Sequence, residues 1–283
     1  FAFFTPIFLI YHLAELEVLA RKELFMFIGM IWFYEISKRQ SGIFKPSIWL
    51  FCILPLVTIL YEPTAFYYPF FAAIIVIKLR NEKIIKTFFI ITLIFIPSLI
   101  ASWFSAFELL SDEGFEIMKN SLQNNFGEAC YMSCGLMGSK KEAIIHISHT
   151  IQKLHEGGSY SIYIYLFRYF IIMLVGFLPL LIIINFSKIK IKILKFKNLI
   201  FPFLILNSLV PLHWLMFLDW GRAVNITYVS SFLFIFYLYK NTYIYVNLDL
   251  INKKIAFILE VLLKYSFFKS KKKLTVFIFI IYA

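Results

Sequence analysis

Charge is what this chain has least of. Only 16% of its 283 residues are Asp, Glu, Lys or Arg, while 61% are hydrophobic and 20% aromatic. Ordinary soluble domains carry about 25% charged residues and about 45–50% apolar ones, so a soluble globular enzyme is excluded first. Acids are the scarcest class: 16 Asp and Glu stand against 28 Lys and Arg, a formal net charge of +12. Disorder is excluded by the abundance of Ile, Phe and Leu, which cannot stay solvated as an unfolded chain. The lysines fall between apolar runs instead of lining one face, which argues against a nucleic-acid binder. No repeat of 20–50 residues is visible. The apolar run at 1–13 lacks a basic leading region and a small-residue cleavage site, so it is no signal-peptide core.

Cysteine is sparse too. Cys52 falls in an apolar run, and Cys130 and Cys134 share one long connection. An exported pair can form a disulfide, but closing so short a loop stabilises little.

What the chain does have is a succession of apolar runs. They predict an all-α fold, a polytopic transmembrane helical bundle with about eight spans forming a single domain over 1–283. The spans are expected at 1–14, 24–36, 47–61, 66–79, 87–105, 161–187, 199–217 and 226–240, with a ninth beginning near 274. Neither terminal run reaches the roughly 20 residues that a span needs, so a fragment with helices missing on both sides is expected. Prolines at 55, 69, 97, 179 and 211 lie within or beside the runs; membrane helices tolerate them because neighbours re-satisfy the freed carbonyls.

The connections alternate in charge. Lys38, Arg39 and Lys45 fall in one; Lys78, Arg80, Lys83 and Lys86 in the next but one; then come the lysines at 188–197, Lys240, Lys253 and Lys254, and the cluster at 269–273. The segments between them, 15–23, 62–65, 106–160 and 218–225, are poor in basic residues for their length. Short Lys/Arg-rich loops stay cytoplasmic, so the second set is expected outside. The lysines then orient the chain and attract anionic lipid, at about 1 kcal/mol per residue near the surface. Residues 251–268 are expected to form a cytoplasmic surface helix, interrupted by Glu260 and Lys264 at one-turn spacing.

Polar residues worth placing in a membrane gather on the outer side. Tyr61-Glu62-Pro63-Thr64 reads as a tight turn between spans, with Tyr61, Tyr67 and Tyr68 as an interfacial belt. Glu62 can act as a general base if partial burial raises its pKa, and is otherwise a solvated turn residue. His213-Trp214 precedes Asp219-Trp220-Gly221-Arg222 and Asn225 at the mouth of two apolar helices, where Gly221 permits a sharp turn. Ionisable groups at membrane depth mark sites, and a guanidinium fork at Arg222 suits a phosphate or diphosphate; the simpler alternative is a Trp anchor beside an Asp219–Arg222 ion pair. His213, about two turns inside the helix end, reads as a hydrogen-bonded packing residue more readily than as a ligand. Arg168 lies inside a span and must face a cavity, snorkel or pair with an acid, Glu62 and Asp219 being the candidates. In the outer loop, 140–156 has the spacing of an amphipathic interfacial helix ended by Gly157-Gly158. Glu142, His146 and His149 share one of its faces, but their spacing is not that of a zinc peptidase helix, and a solvated polar stripe is the better reading. Neither a metal nor any other cofactor is expected.

Together, Asp219-Trp220-Gly221-Arg222, the preceding Pro211-Leu212-His213-Trp214 and Glu62-Pro63 resemble the motifs of bacterial multi-span membrane proteins from surface-polysaccharide gene clusters, the O-antigen-polymerase-like group. That group often has His before the Glu and a second Trp after the Arg, where this chain has Tyr61 and Ala223. The resemblance implies a multi-pass protein of the bacterial inner membrane that transfers or polymerises a polyprenyl-linked sugar at the outer face. It implies Asp219 and Glu62 as catalytic carboxylates, and Arg222, Arg168, Trp220 and His213 in substrate binding. The partners it implies are membrane lipid and the lipid-linked sugar. The competing classes are a transporter or flippase, which calls for midplane charges and paired broken helices, and a non-catalytic assembly subunit, whose outer polar residues would not converge.

Overall fold

A computed structural model describes residues 22–107, 112–127, 151–152, 155, 162–190, 199–216, 220–247, 249 and 253. The expected spans at 1–14 and near 274, Cys130, Cys134, Glu142, His146, His149, Asp219 and nearly all of the expected 251–268 helix lie outside the described residues. So does 140–156, apart from the helical Ile151, Gln152 and His155.

The described chain is mostly helical, as expected. Its elements are α1 (Glu23–Ile36), α2 (Phe44–Cys52), α3 (Leu54–Leu60), a 3-10 helix (Glu62–Tyr67), α4 (Tyr68–Lys78), α5 (Ile84–Phe107), α6 (Asp112–Phe126), α7 (Ile162–Gly176), α8 (Leu178–Asn185), β1 (Ser187–Ile189), α9 (Ile200–Leu206), α10 (Val210–Met216), α11 (Trp220–Lys240) and β2 (Ile244–Val246). Three expected spans are each split in two. The second halves α3, α8 and α10 all carry a proline in their first turn, Pro55, Pro179 and Pro211. Proline has no N–H to bond the preceding turn and its ring clashes there, so the breaks fall just before it, at Ile53, Phe177 and 207–209.

At the centre stands α4. Its apolar residues Phe70, Phe71, Ile74 and Ile75 have no exposed surface, and it packs against α2, α5, α9 and α11. With only 11 residues it is about 16 Å long. The 3-10 helix before it adds about 12 Å. Both α5 and α11 are long and apolar enough to cross a membrane by themselves, and they differ in how much of that length is buried. The span within α5, Ile84–Ser105, has a mean hydropathy of 2.3 and is only 22% buried; that within α11, Ala223–Lys240, has 1.2 and is 72% buried. An outer helix can be uniformly apolar, whereas α11 hides Asn225, Thr227, Ser230 and Ser231 inside the bundle. Those polar residues lower its hydropathy and mask its start. The expected outer loop 218–225 is accordingly corrected: Trp220 through Asn225 are helical, and Gly221 makes no turn.

Among the described residues, several helices present large apolar side chains outward. Ile28, Ile31 and Trp32 of α1, Leu56 and Ile59 of α3, Phe88, Phe89 and Trp103 of α5, and Phe167 and Phe170 of α7 are all exposed. Soluble monomers rarely expose contiguous apolar patches beyond a few hundred Å².

Four basic connections meet at one end of the bundle. Lys78 Nζ donates to Lys38 O (3.0 Å), Ser41 O (2.8 Å) and Ser41 Oγ (2.9 Å). Arg39 N donates to Asn241 Oδ1 (2.8 Å), and Tyr237 Oη donates to Ser37 O (2.6 Å). β1 and β2, in the segments after α8 and α11, pair antiparallel with Lys188 opposite Tyr245. This short ribbon was not anticipated, because three-residue strands carry almost no periodicity. Burial raises the Tyr243 phenol above the usual tyrosine value, with Arg39 and Arg80 pulling it back down.

After α5, α6 is a polar helix that hydropathy alone does not reveal. Its apolar residues Phe115, Met118, Leu122 and Phe126 recur at helical spacing. It ends where Gly127 takes a φ of 65°, a left-handed cap that glycine adopts without a Cβ clash.

Candidate functional site

Because α4 and α11 both finish at the basic end, their first turns lie at the opposite end. The 3-10 helix, α10 and the start of α11 meet there. Tyr61 enters in extended conformation (φ −145°), and Pro63 then pre-sets the helical φ of the turn. Thr64 locks it, donating from N (3.0 Å) and from Oγ1 (2.6 Å) to Tyr61 O. Glu62 sits at the head of this rigid turn and is exposed. The partial burial expected of it is therefore not found there.

Tyr67 and Tyr68 correct the expected interfacial belt. Both are buried, at 0% and 7% exposure, and Tyr61 is buried with them. Successive side chains turn by about a third of a circle in a 3-10 helix, so the two hydroxyls reach different partners. Tyr68 Oη donates to Ser98 O (2.9 Å) and lies 2.8 Å from Thr58 Oγ1 and 2.9 Å from Ser102 Oγ. It thereby joins α3, α4 and α5 beside Pro97, which lies inside α5.

Tyr67 joins the opposite side. Its Oη is 3.2 Å from His213 Nδ1 on α10, 3.2 Å from Thr227 Oγ1 and 3.5 Å from Ala223 O on α11. His213 is 3% exposed; its ring stacks on Phe66 with centroids 5.4 Å apart and planes 6° from parallel. Thr227 Oγ1 donates to Ala223 O at 2.7 Å. Tyr67 Oη thus bridges α10 and α11, meeting His213, Thr227 and the Ala223 carbonyl that Thr227 also bonds. His213 is thus a hydrogen-bonded residue, as its sequence context suggests.

The remaining expected residues are placed by their backbones. Trp220 and Arg222 occupy the first turn of α11, and Arg168 the second turn of α7, which packs against α11. The elements carrying Glu62, His213, Trp220, Arg222 and Arg168 therefore converge through α11. Thr227 and Asn225 extend this polar lining, and Asn225 is 2% exposed. Asn225-Ile226-Thr227, two polar residues flanking an apolar one in a helical run, is the signal that could have found Thr227. Glu23, a carboxylate only 5% exposed at the head of α1, had none, because it reads as part of a short loop. Among the described residues no three His, Cys, Asp or Glu side chains cluster as metal ligands.

No protein-family model, curated protein or solved structure matches this chain.

Proposed function

We propose that this chain is a multi-pass protein of the bacterial inner membrane. In this reading about eight spans place the basic connections in the cytoplasm, and the end bearing Glu62 and His213 outside. The apolar outward faces of α1, α3, α5 and α7 support embedding, since lipid is the solvent in which such faces cost nothing. At the outer end, we infer, the protein transfers or polymerises a polyprenyl-linked sugar in building a surface polysaccharide.

One observation carries this reading: the elements bearing the Glu62, His213 and Trp220–Arg222 motifs, distant in sequence, pack together at one end. In the proposed reaction a carboxylate, Glu62 or Asp219, takes the proton of an acceptor hydroxyl. The hydroxyl oxygen bonds to the anomeric carbon as its bond to the diphosphate breaks, and polyprenyl diphosphate leaves. Arg222 and Arg168 stabilise the charge developing on that leaving group, aided by the positive N-terminal end of α11. The protein supplies no cofactor in this scheme.

A transporter or flippase is the second reading. It is favoured by the break between α9 and α10, where Ser231 Oγ of α11 donates to Asn207 Oδ1 at 3.5 Å; discontinuous helices of this kind line transport sites.

The test is the length distribution of surface glycan in cells carrying Asp219→Asn or Arg222→Gln. Accumulated single lipid-linked units at the outer face are expected. Wild-type glycan in both variants contradicts the reading, and units retained on the cytoplasmic leaflet favour transport.

A further inference from the structure

A large groove outside the candidate site lies at the basic end, between α1 and α11. It is an open groove of about 810 Å³, within the usual size of a small-molecule site. Its upper rim is polar and cationic: Lys38, Arg39 and Lys240 line it with Gln40, Asn241 and Thr242. Its floor is apolar, formed by Ile31, Leu233 and Phe236, and Ile31 and Phe236 are 53% and 49% exposed.

Charge in the groove is unbalanced. Glu35 pairs with Lys38 and lies 4.0 Å from Lys240, so one carboxylate holds two ammonium groups in place. Arg39 is fixed by Thr242 Oγ1 (2.5 Å) and by stacking over the Tyr243 ring at 5.7 Å. That arrangement uses only part of the five-donor guanidinium fork. The three cations exceed the single acid by two charges. The Tyr34 ring adds to the wall of the same groove, with its Oη out of solvent reach.

We propose that this groove binds one anionic phospholipid of the cytoplasmic leaflet. Its phosphate is held by Lys38, Arg39 and Lys240, and an acyl chain lies on Ile31, Leu233 and Phe236. Such a site goes beyond the diffuse attraction of lysines to a charged surface, because its cations are pre-positioned around an apolar slot. It rests on the membrane reading above but not on the sugar-transfer chemistry, which concerns the opposite end.

The test uses the full chain in neutral detergent with native mass spectrometry. It is titrated separately with phosphatidylglycerol, phosphatidylcholine and inorganic phosphate. Retention of one phosphatidylglycerol in preference to phosphatidylcholine is expected. Lys38→Gln with Lys240→Gln removes the excess charge and is expected to weaken retention about tenfold or more. The exposed pair Lys83→Gln with Lys86→Gln leaves it intact. Equal retention of both lipids, an equal loss in the Lys83/Lys86 control, or displacement of the lipid by inorganic phosphate would each overturn the proposal. Failure of the chain to fractionate with membranes overturns the membrane reading, whereas a membrane-bound chain without lipid preference overturns the groove alone.

Discussion

Cells carrying Glu62→Gln are expected to make polymerised surface glycan at a rate about 10² to 10⁴ lower than wild type, the usual range for losing a general base. The substitution keeps size and polarity while removing the charge that can accept a proton. Because Glu62 is exposed at the head of a turn held by Thr64 and Pro63, folding is expected to be unaffected. The amount of protein in the membrane should match wild type, which separates a chemical defect from a folding one. Asp219 is the alternative base. If Glu62→Gln is silent and Asp219→Asn is not, the proton goes to Asp219 and Glu62 is a solvated turn residue.

The second large effect falls on stability. His213→Ala removes a buried ring stacked on Phe66 together with the Nδ1 partner of Tyr67. The loss is expected to be about 2–5 kcal/mol, combining a cavity with an unsatisfied group. Tyr67→Phe deletes only the hydroxyl. Hydrogen bonds between helices in a bilayer average about 0.6 kcal/mol, so this variant is expected to cost far less. The contrast decides what the cluster contributes: packing dominates if His213→Ala is several-fold worse, and polar bonding dominates if the two are equal. Unfolding of the purified protein in mixed micelles measures both. His213→Phe separates structure from chemistry further, since it fills the space without supplying Nε2.

The parts of the fold legible in sequence are those where hydropathy and burial say the same thing. α1 begins within one residue of its expected start because Glu23 and Ser37 bound a run whose one charged residue is Glu35. The start of α11 was misplaced by six residues for the opposite reason. Asn225, Thr227 and their neighbours are polar because they face other helices, and a hydropathy reading assigns polar residues to loops. Helix breaks at Ile53, Phe177 and 207–209 were signalled by prolines, but which prolines break a helix depends on packing. Pro97 sits inside an unbroken α5, whereas Pro211 follows a three-residue gap.

The candidate site was legible as a set of motifs at helix ends. Its organising residue was not. Tyr67 was visible only as one of three tyrosines near a boundary, and nothing local distinguishes an anchor in the headgroups from a buried hydroxyl shared by two helices. That distinction is made by His213 and Thr227, which lie 146 and 160 positions away in the chain. The shared basic end is a similar case. Alternating charge predicts one side for four connections, and the bonds from Lys78 and Arg39, with the β1–β2 pairing, tie those connections to one another.

Sidedness is the central claim, because both the sugar-transfer site and the lipid groove depend on it. It is tested most directly by single cysteines placed at Glu62 and at Lys83 in a chain whose native cysteines are replaced. A membrane-impermeant maleimide is applied to intact and to permeabilised cells. Labelling of the position-62 thiol in intact cells, with the position-83 thiol labelled only after permeabilisation, is the expected result. The reverse pattern, or both thiols labelled in intact cells, would contradict it.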